Sequence, residues 1–315
     1  MNRGIAFLAL VVAAAVFAGC GGEKKQPETA QTEQPGGSKP GGTEFEYPPV
    51  NPFYKVQGAT LDSLRVKKKR FDITRDEYWQ NEGGVLANKY FEVWYPEGAT
   101  TVTHAMYIFE ELMPARKKVE AYFGQAPEDL LVIKNSIEID VYKRVTGREW
   151  WYYSEIRGDT AIFVPVYTLY KRGISPVAVP HEYYQWAVRK IARHGAPRWL
   201  EEGIASRLSN EGPLLLDQLY EFAGENFAMT PERIDEVLQG EEDRRDARIA
   251  YYHSYRMVER LAEKYGDDKV KSAVTLIGMG NTVDQAFTTA FGAGQAAVVK
   301  EALDYTVELP KKTKK

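Results

Sequence analysis

The stretch Pro180-His181-Glu182-Tyr183-Tyr184-Gln185-Trp186-Ala187-Val188, followed after a short break by Pro197-Arg198-Trp199-Leu200-Glu201-Glu202-Gly203-Ile204-Ala205, decides how this chain is read. The first segment reads as a helix from His181 to about Arg193, stopped by Gly195 and Pro197. The second reads as a helix from Arg198 to about Leu208 that can fold back antiparallel to the first. His181 and Gln185 stand one turn apart on the same face, and Glu202 follows 21 residues after His181 and 17 after Gln185. Gly203, with no side chain, would let the two helix backbones approach closely.

His-Glu at the opening of a helix is half of the pattern H-E-x-x-H, in which two imidazoles one turn apart bind zinc and the Glu activates its water. A bare His-Glu pair is otherwise a surface or capping feature. The returning carboxylate Glu202 strengthens the metal reading, since a catalytic zinc takes three protein ligands. Two features oppose it. Gln185 stands where the second imidazole belongs, and an amide oxygen is a poor zinc ligand beside nitrogen or sulfur. Pro180 lies directly before His181, as a helix start or as a kink within one. Of the other histidines, His194 lies 13 residues beyond His181, roughly 20 Å along a helix, out of reach. His253 is a replacement ligand to be tested.

Working outward, Lys89 to Tyr95 alternates with Phe91, Val93 and Tyr95 on one face, a strand period. Ile108, Leu112, Val119 and Phe123 recur at helical spacing, predicting a helix from His104 to Phe123 bent at Pro114 and stopped by Gly124. Ile137, Ile139 and Val141 alternate with charged residues, and Thr160 to Val166 is rich in β-formers, so two further strands are expected there. Helices are expected at Leu214 to Phe222, Ala250 to Lys264 and Val270 to Ile277. Strands first and helices afterwards predict an α+β fold.

The chain has 315 residues, 44% of them hydrophobic, with one Cys and a formal net charge of -3. Collagen-like, disulfide-scaffold and wholly disordered classes are excluded, as is a Cys-based zinc site. The charge gives no footprint for nucleic acid. The lone Cys has another use. Arg3, the apolar run Ile5 to Ala18 and the small residues Ala18-Gly19-Cys20 form a secretory signal, too short at about 21 Å to span a bilayer. The ending Phe17-Ala18-Gly19-Cys20 resembles the bacterial lipoprotein signal, which implies lipidation of Cys20 and a protein anchored in the cell envelope outside the cytoplasm. Glu23 to Thr43 holds one apolar residue, Ala30, and reads as a tether.

From about Asn88 to Leu303 the sequence resembles the gluzincin metallopeptidases, in particular peptidase MA-like domains. The resemblance rests on His181-Glu182, on Pro197-x-Trp199-x-x-Glu202-Gly203-x-Ala205, and on the helix ending Tyr122-Phe123-Gly124-Gln125-Ala126-Pro127. It extends to Tyr251-x-x-Ser254, Tyr265-Gly266 and Ala286-Phe287-x-x-x-Phe291-Gly292. It implies a zincin-like fold with a small N-terminal sheet lobe, and a zinc cofactor on His181 and Glu202 with Gln185 in the remaining ligand place. It implies Glu182 as the water-activating base and Tyr251, or Tyr252, as the oxyanion donor. The resulting organisation is a signal peptide at 1–19, lipidated Cys20 and tether at 20–43, an N-terminal extension at 44–87, the peptidase-like domain at 88–303 and a basic tail at 304–315. The function implied is peptide-bond hydrolysis at a membrane-anchored domain; the alternative is an inactive pseudopeptidase that binds a peptide or envelope protein.

Three further stretches are weighed. Trp150, Trp151, Tyr152 and Tyr153 read as core and strand packing before cleft lining. The strand at Thr160 to Val166 is expected at the cleft rim with one edge unpaired, as a site for extended peptide. The charged run Glu241 to Arg248 reads as a solvated loop or helix start, and Gly278-Met279-Gly280 lacks the third Gly of a dinucleotide site.

Overall fold

The strand alternation at Phe91 is a good entry to the architecture. In the computed structural model, which describes residues 65–69, 83–96, 101–219, 228–240 and 243–306, Phe91 is fully buried at the start of a strand. Its ring meets Phe109 at 6.3 Å and Tyr183 at 5.4 Å, both edge to face. Those partners come from two helices, so both cover one face of the sheet. The other face of the strand carries Trp94, whose indole donates to Glu92 and lies under Lys134.

The described residues form a six-stranded mixed sheet in the order β1-β2-β3-β4-β6-β5. The strands are β1 (Arg65–Lys69), β2 (Gly83–Ala87), β3 (Phe91–Pro96), β4 (Leu131–Asn135), β5 (Ser154–Arg157) and β6 (Thr160–Phe163). β3, β4 and β6 run parallel; the outer neighbours are antiparallel. The sheet therefore reaches back into the stretch set apart above as an extension, because β1 and β2 pair onto β3. All described residues fall within one compact unit, Val50–Lys315. The signal, Cys20, the tether and residues 307–315 of the tail lie outside the described residues.

Helix α1 (Thr101–Phe123) packs on β3 and continues through Pro114. After β4 and β6, the chain is helical: α4 (Ser175–Ile191), α5 (Arg198–Leu208), α6 (Gly212–Leu219), α7 (Pro231–Gln239), α8 (Arg244–Tyr265), α9 (Asp267–Gly278), α10 (Val283–Phe291) and α11 (Gln295–Asp304). Two shorter helices, α2 (Ile139–Thr146) and α3 (Val166–Lys171), lie between the strands and α4. The fold is α+β as expected, with helix α8 at the centre of the helical part, against α5, α6, α7, α9 and α11. Among the described residues no helix is long and apolar enough to cross a membrane.

Three expectations are corrected here. Ile137 to Val141 is not a strand: Leu131–Asn135 takes that role, and Ile139–Thr146 is helical. Buried Val141, Tyr142 and Thr146 follow helical spacing, Asp140 sits in the first turn, Lys143 and Arg144 sit in the last, and Gly147 closes it in the left-handed region at φ 73°. Three alternating positions were too few to outweigh those signals. Second, the strand at Thr160 is interior, paired with β4 and with β5. A tight turn through Gly158, at φ 58°, folds β5 outside it, so β5 is the edge. Third, Gly203 does not serve the approach of α4 and α5. A Cβ there would lie 2.1 Å from the Ser254 carbonyl oxygen of α8, so the missing side chain serves the α5–α8 contact.

Pro180 is also located. Helix α4 runs unbroken from Ser175, with Pro176 at its start and Pro180 inside it. The N–H that Pro180 lacks would have reached Pro176 in the first turn, so only one bond at the helix start is lost. The charged run ends in α8, whose Asp243 side chain accepts from the Asp246 N–H as its N-cap.

Candidate active site

Helices α4 and α5 pack together and bring His181 to Glu202. The imidazole Nε2 lies 2.9 Å from Glu202 Oε1, and Nδ1, on the far edge of the ring, lies 2.9 Å from Glu211 Oε2. Gln185, one turn after His181, donates its amide to Glu202 Oε2 at 2.5 Å. One further turn along the same face, Arg189 Nε donates to Glu201 at 3.0 Å, and Arg198 donates to the same oxygen at 3.1 Å. Glu201 is thus matched by two guanidinium groups and takes no part at His181.

Glu211 was not foreseen. It follows a left-handed Asn210, at φ 59°, just beyond α5, and it accepts from the Ser206 hydroxyl at 3.0 Å. No local pattern marks it, because its role depends on the chain doubling back after α5. Burial alone would depress the His181 pKa, but Glu202 and Glu211 outweigh it and hold it well above the usual imidazole value. Conversely, burial would raise Glu211, and His181 beside it brings its carboxyl below the ordinary range.

These groups border a cavity of about 310 Å³. Glu182 faces it, and burial pushes its carboxyl up to about 7, against the opposing pull of His181. Tyr251 of α8 also lines it; burial and the nearby Glu202 carboxylate keep this phenol well above its usual value, hence a neutral donor. Tyr252 points elsewhere, packed with Ile249 against Leu216 and Met229, so Tyr251 is the tyrosine at the site. His253 is fully buried with its Nδ1 2.5 Å from Thr306 Oγ1, and it does not line the cavity. The replacement-ligand idea is withdrawn, since Tyr251 and His253, two residues apart on α8, face directions about 200° apart.

The aromatic cluster does both: Trp150, Tyr152 and Tyr153 pack against the core as expected, and part of the cluster also faces the cleft. Trp151, Tyr152 and Tyr153 line the cavity from a 3₁₀ turn at Trp150–Tyr152, and none of those three turn residues is fully buried. Tyr153 has a positive φ of 63°, a strained conformation for a tyrosine, at the entry to β5. Ser154, Glu155 and Ile156 of β5 complete that wall, so the sheet edge left unpaired among the described residues borders the cleft on β5 and not on the Thr160 strand.

Residues 176–305 match the Peptidase MA superfamily. That segment is peptidase MA-like. Beside this match, the chain is similar to solved M1 zinc metallopeptidases from Deinococcus radiodurans. The native enzyme is 14% identical, with 79% of this chain and 54% of that chain covered at a TM-score of 0.39. A point mutant is 13% identical, with 79% and 53% covered at a TM-score of 0.42. The same mutant bound to a Tyr-Ser-Ala substrate is 15% identical, with 78% and 53% covered at 0.40. This chain spans about half the length of those structures. No curated protein matches the sequence.

Zinc is the metal that the His181-Glu182 pattern implies, and the residues present are tested against it. Two donors fit: His181 Nε2 and the buried Glu202 Oε1 converge, 2.9 Å apart. The third does not. Gln185 turns its amide N–H toward Glu202, where an active site of this type has an imidazole lone pair. Two ligands around a tetrahedral zinc stand about 3.4 Å apart, and His181 and Glu202 are closer than that. Among the described residues no three His, Cys, Asp or Glu side chains converge as a metal-holding group. The set is one imidazole short.

The raised Glu182 pKa sets a stability prediction. A carboxyl whose folded pKa exceeds its unfolded value of 4.5 costs nothing while both states are protonated; the cost grows through 4.5 to about 7 and is complete above that. The size is up to about 3 kcal/mol. Glu182→Gln is thus expected to stabilise the fold by about that amount near pH 8 and to change little near pH 4, as read by urea unfolding. An equal gain at both pH values removes the argument.

Proposed function

We propose that this protein is a membrane-anchored pseudopeptidase: a zincin-type cleft that holds an extended peptide along the free edge of β5 without cutting it. The observation that carries the reading is the Gln185 amide bonded to Glu202, which replaces the third metal ligand by a hydrogen-bond donor. The edge of β5 and the aromatic side chains beside it supply what strand addition needs, main-chain groups for affinity and side-chain pockets for choice. A second reading, zinc-dependent peptide hydrolysis, is favoured by Glu182 and Tyr251 sharing the cavity with His181 and Glu202. Zinc content and hydrolysis of a mixed peptide substrate by the full chain separate the two. The pseudopeptidase reading expects less than one zinc per several chains and no zinc-dependent cleavage; stoichiometric zinc with cleavage overturns it.

The anchor is part of the same proposal. The lipoprotein-type ending at Ala18-Gly19-Cys20 supports acyl chains on Cys20 and a place in the bacterial cell envelope. Cys20→Ser is expected to move the protein from the membrane fraction to the soluble one. A variant that stays fully membrane-bound would sink the idea.

A further inference from the structure

Arg148 joins two walls of the cavity. It follows Gly147 at the end of α2, and its N–H donates to the Thr146 hydroxyl at 3.0 Å, which fixes where the side chain starts. From there the guanidinium reaches three acceptors. Nε donates to Glu155 of β5 at 2.9 Å, a second nitrogen donates to the Gly240 carbonyl, and the third donates to the Gln239 carbonyl at 3.3 Å. The group also stands 5.0 Å from the centre of the Tyr152 ring. Arg148, Tyr152, Glu155 and Gln239 all line the cavity. The Arg148 and Glu155 side chains are 13% and 21% exposed, so solvent and salt screen the pair only weakly.

Each partner gives a reason for an arginine here. Gln239 and Gly240 close α7, and the last carbonyls of a helix lack partners within it and carry partial negative charge, which suits a cation. β5 is only four residues long and is entered through Tyr153 at its strained positive φ. The Val164 N–H donates to the Tyr153 carbonyl at 2.8 Å. In an antiparallel ladder alternate residues bond the same neighbour, so Glu155 also turns its main chain to β6, whereas Ser154 and Ile156 turn theirs to the outer edge. Arg148 therefore grips β5 through the side chain of a residue whose main chain is already used, and leaves the outward groups of Ser154 and Ile156 to a peptide. At its other end, α7 packs on α5 and α8, the helices that carry Glu202 and Tyr251. A planar guanidinium holds acceptors on different sides at fixed angles; an ammonium does not.

We propose that Arg148 is a positioning residue for peptide binding: by clasping Glu155 to the end of α7 it fixes the outer edge of β5 against the helical wall, so that Ser154 and Ile156 meet a peptide main chain already in place. This role rests on the peptide-binding reading above and adds the side chain that prepares its strand. A strand that has to be ordered at the moment of binding loses affinity, and a brace formed in advance removes that loss. Arg148 acts on the peptide through Glu155, not by touching it.

Fluorescence anisotropy with the full chain in detergent tests it, with a dye-labelled, N-acetylated, C-amidated heptapeptide of alternating valine and serine as the probe. Arg148→Ala is expected to weaken binding about tenfold or more, and Arg148→Lys nearly as much, since an ammonium cannot hold the carboxylate and both carbonyls in the same geometry. Glu155→Ala is expected to weaken it by a similar factor and Glu155→Gln by less, because the amide oxygen still accepts from Arg148. The double variant separates positioning from contact. If Arg148 acts through Glu155, Arg148→Ala combined with Glu155→Ala binds no more weakly than Arg148→Ala alone. Circular dichroism and thermal unfolding establish which variants are folded; should Arg148→Ala not fold, Glu155→Ala against Glu155→Gln carries the comparison. An unchanged Kd in the folded variants, or two factors that multiply in full in the double variant, overturns the clasp and leaves peptide binding standing. Absence of binding by the parent chain overturns both.

Discussion

Gln185→His is expected to raise zinc affinity by orders of magnitude. The substitution puts an imidazole one turn after His181 on the face that already points at Glu202, and so completes a His-His-Glu set. It also removes the amide donor that now occupies a Glu202 oxygen, freeing that carboxylate to turn toward a metal. Glu211 behind His181 Nδ1 is placed as an outer partner that fixes the ring and raises its basicity, a support worth about 10- to 100-fold in metal affinity at comparable sites. Because His181 holds its proton well above the usual range, zinc must displace that proton, and uptake should strengthen as pH rises. Competition against a chromophoric chelator measures both effects. Equal affinity in parent and variant would mean that the native chain already holds a complete ligand set.

The route to that site was partly legible before any coordinates. The helices from His181 and Arg198 are where the sequence puts them, because Gly195 and Pro197 break the chain and the pattern on either side is long and periodic. The strand at Phe91 and the helix through Pro114 follow for the same reason. What periodicity misses is tertiary. Gly203 was assigned to the wrong neighbour, since a glycine announces close approach without naming the partner, and here the partner is Ser254. Similarly, Gly278 lacks a side chain because a Cβ would lie 2.0 Å from the Ile191 carbonyl oxygen at the end of α4. Edge and interior strands look alike in composition, and only the turn at Gly158 sets β5 outside β6.

Charge was harder still. Glu182, Glu201 and Glu202 lie close to one histidine, and buried carboxylates gathered in this way are a burden that a cation would relieve. The structure relieves it piece by piece. Glu201 is matched by Arg189 and Arg198, Glu182 holds a proton up to about neutral pH, and Glu202 and Glu211 share His181. Arg189 follows Gln185 at i+4, so a signal for the first of these pairs was present on the face already under scrutiny. Glu211 carried none.

His181→Ala is expected to cost the metal-free protein about 3 to 5 kcal/mol, since it removes the one charge between two buried carboxylates. The pH window follows from the two shifts. His181 is raised, so its contribution is whole below its unfolded value of 6.5 and is lost as pH rises through the higher folded value. Glu211 is lowered, so its share is present above 4.5 and is lost as pH falls through the folded value. The penalty for His181→Ala should therefore peak between those limits and shrink on both sides, as read by urea unfolding across the range. His181→Gln, which keeps a polar group without the charge, should recover only part of it. Treatment of the parent with a strong chelator separates this from the metal reading. If His181 acts as an imidazolium, chelation leaves the parent as stable as before and the penalty intact; if it acts as a zinc ligand, chelation brings the parent down toward the variant.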